Sequence, residues 1–225
     1  MKRAPPTATA TATATTPAKL RRGDVLALVF ALAWAGGALL ASRVGMWHGV
    51  GAVALLLGVA ALALDGRRLA ALLRPRAVQL AIGVVAGALM AGATYVLYPP
   101  VARALPGIAT ETERLYSAFG ALSPSLSALA LAPVILGEEL VWRGIVQDAL
   151  TRRFGTAAGV VVAATLYAVA HAPVGSMLLV ATALACGLVW GALRAVTGNL
   201  VATLVSHLLW DTLVLLLVPL ARPPG

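Results

Sequence analysis

Cysteine is all but absent from this chain. Cys186 is the sole one and lies in an apolar segment, which excludes an intramolecular disulfide and a cysteine-rich metal site. It reads as a small buried apolar side chain. Charge is nearly as scarce: 11% of residues are charged and 60% hydrophobic, with a mean hydropathy of +0.93. An ordinary soluble domain does not have that balance, so the chain reads as a polytopic membrane protein. Acids are the rarest charged type, eight against 17 Lys and Arg, and the net charge is +9. The basic residues are scattered at the ends of apolar segments, where they act as topology determinants and not as a phosphate-binding face. No nucleic-acid partner is expected. Also missing are an internal repeat, a soluble domain, a G-x-S-x-G turn, an H-E-x-x-H pair and a candidate Ser–Lys dyad within a span. Serine hydrolases and the common zinc proteases thereby lose support.

What is present is a series of long apolar runs. Residues 1–18 carry the low-complexity run TATATATATT and are expected to be disordered, as part of a cytoplasmic tail over 1–22. Lys19, Arg21 and Arg22 then precede an apolar stretch at 25–41, read as an uncleaved anchor because more spans follow. Further stretches fall at 50–64, 77–98, 126–150, 156–171, 176–195 and 200–220. Most approach the roughly 17 to 25 residues needed to cross the hydrocarbon. The expected fold is all-α, a single transmembrane domain over 23–220 with about seven helices. Glycines such as Gly37, Gly83, Gly137 and Gly191 would let those helices approach closely.

Loop charges support the count. With the N-terminus inside, the inner segments hold Lys2, Arg3, Lys19, Arg21, Arg22, Arg67, Arg68, Arg74, Arg76, Arg152, Arg153 and Arg194. The outer ones hold only Arg43, Arg103, Arg114 and Arg222, as the enrichment of Lys and Arg on the cytoplasmic side requires. We expect a multi-pass protein of a cell membrane, the bacterial cytoplasmic membrane. Between the third and fourth spans, Thr110, Glu111, Glu113 and Arg114 alternate with Leu115, Tyr116 and Phe119. That pattern fits a short amphipathic helix at the outer interface, the alternative being a solvated loop.

The chain's polar interest lies in PVILGEELVWRGIVQD, residues 133–148. Glu138, Glu139 and Arg143 stand there inside an apolar span, where each ionised group costs from roughly 2.5 to more than 10 kcal/mol unless paired, wetted or used. Glu139 and Arg143 are four residues apart with the acid N-terminal, the favourable order for a helical ion pair. Glu138 has no base at i+3 or i+4 and is left available. Glu138 is about 12 residues into its span, roughly 18 Å deep. Two intramembrane histidines follow, His171 and His207, with Asp211 one turn after His207 on the same face. His48 lies in a short loop and reads as interfacial. A carboxylate and an imidazole sharing one water form a general-base pair. A second imidazole held by an acid can donate to a developing oxyanion. The bland alternative is a polar knot that fixes helix packing.

In order along the chain, Glu138-Glu139-x-x-x-Arg143, Tyr167-x-x-x-His171 and His207-x-x-x-Asp211 resemble the motifs of the intramembrane CAAX proteases and bacteriocin-processing enzymes, the CPBP or Abi family. The family pattern is E-E-x-x-x-R, F-x-x-x-H and H-x-x-x-N or H-x-x-x-D, so Tyr167 replaces a usual Phe. The resemblance covers the motif-bearing core at about 125–215. It implies an intramembrane glutamic endopeptidase in which Glu138 and His171 activate water, His207 and Asp211 stabilise the oxyanion, and Glu139 with Arg143 braces the helix. It further implies membrane lipids and a membrane-anchored protein or peptide substrate as partners, and no cofactor. A zinc-dependent version would draw its ligands from Glu138, His171 and His207. Relatives cut prenylated C-terminal tripeptides, mature bacteriocins or trim C-terminal sorting anchors, and Trp142-Arg143-Gly144 is similar to the sorting type. A non-catalytic scaffold or bacteriocin-immunity protein remains the alternative.

Overall fold

The structure, a computed structural model, describes residues 21–120 and 122–220. The tail expected to be disordered lies, but for its last two residues, outside the described residues. Seven helices among those described are long and apolar enough to span a membrane. Helix α1 (Arg22–Val44) is followed by a π-helical turn at Trp47–Gly51 that runs into α2 (Ala52–Leu72), and then by α3 (Ala77–Ala104). A short helix, α4 (Pro106–Phe119), precedes α5 (Pro124–Glu139), a second π-helical segment (Leu140–Val146) and α6 (Gln147–Phe154). Helices α7 (Thr156–His171), α8 (Met177–Thr197) and α9 (Leu200–Asp211) complete the bundle, the last extended by a π-helical segment at Thr212–Leu217. No strand occurs among the described residues.

The expected spans are recovered, with boundaries shifted where helix outlasts apolarity. The second, expected at 50–64, runs over Trp47–Leu72. Its last turns carry Asp65 and Arg68, which satisfy each other at 2.5 Å beside a non-helical backbone kink at Asp65. Helix α3 continues past the expected 98 through Pro99 and Pro100. The stretch read as an amphipathic helix or a loop is a helix, α4, started by Pro106 in its first turn, where a missing N–H costs nothing.

Close helix contacts put the polar residues where they are. Helices α2 and α5 cross at Gly137, where a Cβ would collide with the carbonyl oxygen of Ala54. Helices α3 and α9 meet at Gly83, where a Cβ would lie 2.7 Å from the carbonyl oxygen of Ala202. Helix α9 thus packs against α3, α5 and α8, and α7 against α1, α6 and α8. Large apolar side chains such as Leu28, Leu56, Leu89 and Val96 remain exposed on the outside, as a lipid-facing surface requires.

The arginine-rich ends of the spans gather at one end of the bundle. Asp148 accepts from Arg68 at 2.8 Å and also from Arg152, while Arg153 reaches Asp24 at 2.9 Å. Arg68 further donates to the carbonyl of Gly144, within the second π-helical segment, at 2.9 Å. The Asn199 amide caps α9 by accepting from Val201 N–H and donates to the carbonyl of Arg74.

Because Gly137 admits no side chain beside Ala54, Gly137→Ala is expected to lower the melting temperature in detergent by several degrees. Overpacking of this kind costs about 1–3 kcal/mol. A variant melting with the wild type would show that the α2–α5 crossing is not the tight contact described.

Candidate active site

Glu138 and Glu139 end α5, and the π-helical segment starts at the next residue. A π turn widens the helix by one residue, and such turns occur often at functional sites. Leu140–Val146 is buried throughout. Glu139 is 0% exposed and Arg143 2% exposed, and their Oε1 and Nη1 atoms are 3.1 Å apart, the ion pair expected from their spacing. The guanidinium carbon of Arg143 also lies 4.7 Å from the ring centroid of Tyr167 and 5.2 Å from that of Trp190. Two aromatic faces therefore share its charge with the carboxylate.

Glu139 does more than brace its own helix. Its Oε1 lies 2.9 Å from Nδ1 of His207, which joins α5 to α9. The His207 ring stacks on Trp190 of α8, with centroids 3.7 Å apart and planes 23° off parallel. Trp190 in turn donates to the hydroxyl of Ser206 at 3.2 Å. With Nδ1 facing Glu139, the other nitrogen, Nε2, sits 3.6 Å from Oδ2 of Asp211 and 3.9 Å from Oε2 of Glu138. Asp211, expected to hold His207 directly, stands just beyond a hydrogen bond from it. The acid that does hold the ring is Glu139.

On the other side, Tyr167 of α7 donates its hydroxyl to Oε2 of Glu138 at 2.8 Å. His171, one turn on, has Nδ1 2.7 Å from the carbonyl oxygen of Tyr167. A carbonyl only accepts, so Nδ1 carries a proton, and in the neutral form of the ring the lone pair is then at Nε2. The ring is set among Trp34 and Tyr167, with centroids 6.1 and 4.6 Å away.

Glu138, His171, His207 and Asp211 all line one cavity of about 390 Å³. Three spans supply them, and the cavity brings all four together. Tyr167 and Trp190 line it too, and the remaining wall is mostly apolar. The cavity extends toward the arginine-poor end of the bundle, where Trp47, Tyr98 and Val101 border it and α4 lies across it through Ile108, Thr112, Leu115, Tyr116 and Phe119. Helix α4 is tied down at several points. Arg114 bonds Glu111 at 3.0 Å and the Gly175 carbonyl at 2.9 Å, and Ser176 donates to Glu111 at 2.7 Å. The Ser176 hydroxyl and the Arg114 guanidinium hold the Glu111 carboxyl below its ordinary value. Tyr116 donates to the Val214 carbonyl and accepts from Leu220 N–H, and Trp47 donates to the Phe119 carbonyl. His48 is exposed and takes no part.

Glu138, His171 and His207 were the expected zinc ligands of a metal-dependent version. Among the described residues, no group of three or more His, Cys, Asp or Glu side chains is arranged to hold a metal ion. In this geometry Nδ1 of each histidine is turned to a protein oxygen, and Glu138 accepts from Tyr167.

Sequence reasoning missed the hydroxyl of Tyr167 and the stacking of Trp190. In the sequence Tyr167 shows only as a departure from the usual Phe. Trp190 carried no signal, being one aromatic residue among the apolar ones of α8.

Residues 120–213 match the family model described as type II CAAX prenyl endopeptidase, Rce1-like. The match spans all three motifs, agrees with the CPBP resemblance, and supports an intramembrane protease. No curated protein and no solved structure matches the chain. The protein is a multi-pass membrane protein, all-helical over the described residues, whose residues 120–213 are similar to the Rce1-like family.

Removing one partner of a fully buried ion pair leaves the other charge stranded, at a cost of about 3–5 kcal/mol. Arg143→Met is therefore expected to melt far below the wild type or to fail to accumulate as a folded species. Glu138→Gln, which keeps an acceptor for Tyr167, should melt close to it. Thermal melting in detergent would decide, and equal stability of Arg143→Met would remove the bracing role.

Proposed function

We propose that the protein is an intramembrane glutamic endopeptidase that hydrolyses a peptide bond in a membrane-associated or C-terminally anchored protein substrate. The observation that carries this reading is that Glu138, His171, His207 and Asp211 line one cavity. The Rce1-like match over the same residues supports it.

In the proposed reaction, water binds between the Glu138 carboxylate and Nε2 of His171. As its oxygen attacks the scissile carbonyl carbon, one proton passes to Glu138 and the carbonyl oxygen becomes an oxyanion. His207 donates from Nε2 to that oxyanion. The gaps of 3.9 and 3.6 Å from Nε2 to Glu138 and Asp211 leave the donor free of a closer partner. Asp211 and Glu139 balance the charge on the ring. Collapse of the intermediate breaks the C–N bond, and the proton held by Glu138 goes to the departing amine. Tyr167 acts as a positioning residue, fixing one oxygen of Glu138 so that the other faces the water. The proposed setting is a bacterial cytoplasmic membrane with the N-terminus inside. The arginine-rich ends would then face the cytoplasm and the cavity would extend toward the far side.

The test is cleavage of membrane-anchored peptides by purified protein, comparing wild type with Glu138→Gln, each with and without a strong chelator. Glu138→Gln is expected to lose at least 100-fold in kcat while keeping its melting temperature, and the wild type to stay active with chelator. Cleavage by a folded Glu138→Gln at the wild-type rate would overturn the mechanism. Reversible loss of wild-type activity with chelator would reassign these residues to a metal.

Tyr167→Phe keeps the ring against Arg143 and His171 and removes only the hydroxyl. Loss of a hydrogen bond to a charged group is expected to lower kcat roughly tenfold with KM little changed. An unchanged kcat would leave Tyr167 as packing alone.

A further inference from the structure

The two ends of the bundle differ in charge. Among the described residues, the arginine-poor end sets Arg43, Arg103 and Arg114 against Glu111 and Glu113. The opposite end holds many more arginines than aspartates, which there are Asp24, Asp65 and Asp148. Arg67, Arg74 and Arg76 are exposed and bond to no acid among the described residues. Asp148 is already shared. It accepts from Arg68 at 2.8 Å and from Arg152, and Arg194 of α8 lies within the electrostatic reach of both Asp148 and Arg68. Arg194 is partly buried, and its Nε is shut off from solvent with no hydrogen-bond partner among the described residues. Orienting a span across a membrane needs only basic flanks, wherever their side chains point. A guanidinium with a buried, unpaired donor is a cost that an anion removes.

We infer that this end holds the headgroup phosphate of an anionic phospholipid, seated beside Asp148 by Arg152 and Arg194 at the ends of α2, α6 and α8. The planar guanidinium suits a phosphate because it can donate two parallel hydrogen bonds. The Asn199 amide donates to the Arg74 carbonyl at 3.2 Å, which draws the α2–α3 turn, with Arg74 and Arg76, to the α8–α9 turn just past Arg194. Those two arginines add attraction for a negative headgroup. A lipid fits better than a free phosphate because exposed apolar side chains, Val78, Phe154 and Val196, lie close in sequence to Arg76, Arg153 and Arg194. Charged head and acyl chain each find a matching surface at this level of the bundle. A headgroup that takes up Arg152 and Arg194 leaves the Asp148 carboxylate to Arg68, whose other amino group holds the Gly144 carbonyl at 2.9 Å. Binding thereby braces the span that carries Glu138 and Glu139, whatever reaction they perform.

The experiment is thermal melting of the whole chain in a neutral detergent with added phosphatidylglycerol, phosphatidylcholine or glycerol phosphate, the last being a headgroup without its chains. Phosphatidylglycerol is expected to raise the melting temperature by about 4 °C or more, as a ligand of the folded state does. That gain should fall by about half or more at about 0.5 M salt. Phosphatidylcholine and glycerol phosphate should each shift it by no more than about 1 °C. Equal gains from the two lipids would overturn the inference, and glycerol phosphate matching phosphatidylglycerol would replace the lipid with a free phosphate. Arg194→Gln is expected to lose about half or more of the phosphatidylglycerol gain, while Arg43→Gln, at the other end, keeps it. Arg74→Gln combined with Arg76→Gln, both exposed, should also lose part of the gain and decides the matter if Arg194→Gln does not fold. A gain undiminished in every folded variant from the arginine-rich end would reduce the effect to diffuse surface charge and overturn the site.

Discussion

The structure turns on one oxygen atom. Oε1 of Glu139 meets both Nη1 of Arg143 and Nδ1 of His207, at 3.1 and 2.9 Å, with no solvent reaching the carboxylate. A buried ion pair is weak evidence of net stability, because desolvation consumes much of its attraction. Its effect here is specificity of arrangement. Any register of α5 against α9 that parted these groups would strand charge in an apolar interior, so the crossing has one acceptable solution. Trp190, stacked on His207 and close to Arg143, extends the same constraint to α8. Tyr167 extends it to α7.

Adjacent carboxylates with different duties follow from the same geometry. Consecutive helical residues diverge by about 100° around the axis, so Glu138 and Glu139 approach different nitrogens of His207. Glu139 faces inward, toward Arg143 and His207, and Glu138 faces the cavity. The change to π-helical hydrogen bonding immediately after them shifts the phase of all that follows, including Arg143. A similar change follows Asp211 at Thr212. Two of the three π-helical stretches among the described residues therefore begin where polar residues must be aimed, and Arg68 takes up the Gly144 carbonyl in one of them.

How much of this could be read beforehand depended on whether the signal was local. The seven spans were legible because hydrophobic length and basic flanks are properties of single segments. The Glu139–Arg143 pair was legible because i,i+4 spacing needs only one helix. Glu139 with His207 was not, since 68 residues separate them and only the packing of α5 on α9 unites them. The same spacing rule brings Asp211 to 3.6 Å from Nε2 of His207, while the 2.9 Å contact at Nδ1 is made by Glu139. Helix α4 stood between two readings because its amphipathic pattern is short and its anchoring partners, Gly175, Ser176 and Val214, lie on distant segments.

The position of α4 bears on how an apolar cavity can exist in a bundle already surrounded by lipid. A mostly apolar cavity would fill with acyl tails if it opened broadly sideways, and water would then be excluded from the two carboxylates. Helix α4 lies across the cavity with an amphipathic sequence, putting Ile108, Leu115 and Phe119 against it while Glu111 and Arg114 engage the α7–α8 turn. Its attachments are polar bonds at the interface, to Ser176, Gly175, Val214 and Leu220, and not a continuous packed face. Such bonds can exchange with water one at a time, whereas separating α5 from α9 would expose a buried charge all at once. Displacing α4 therefore costs less than parting α5 from α9, and leaves the α5–α9 frame and its polar groups in register.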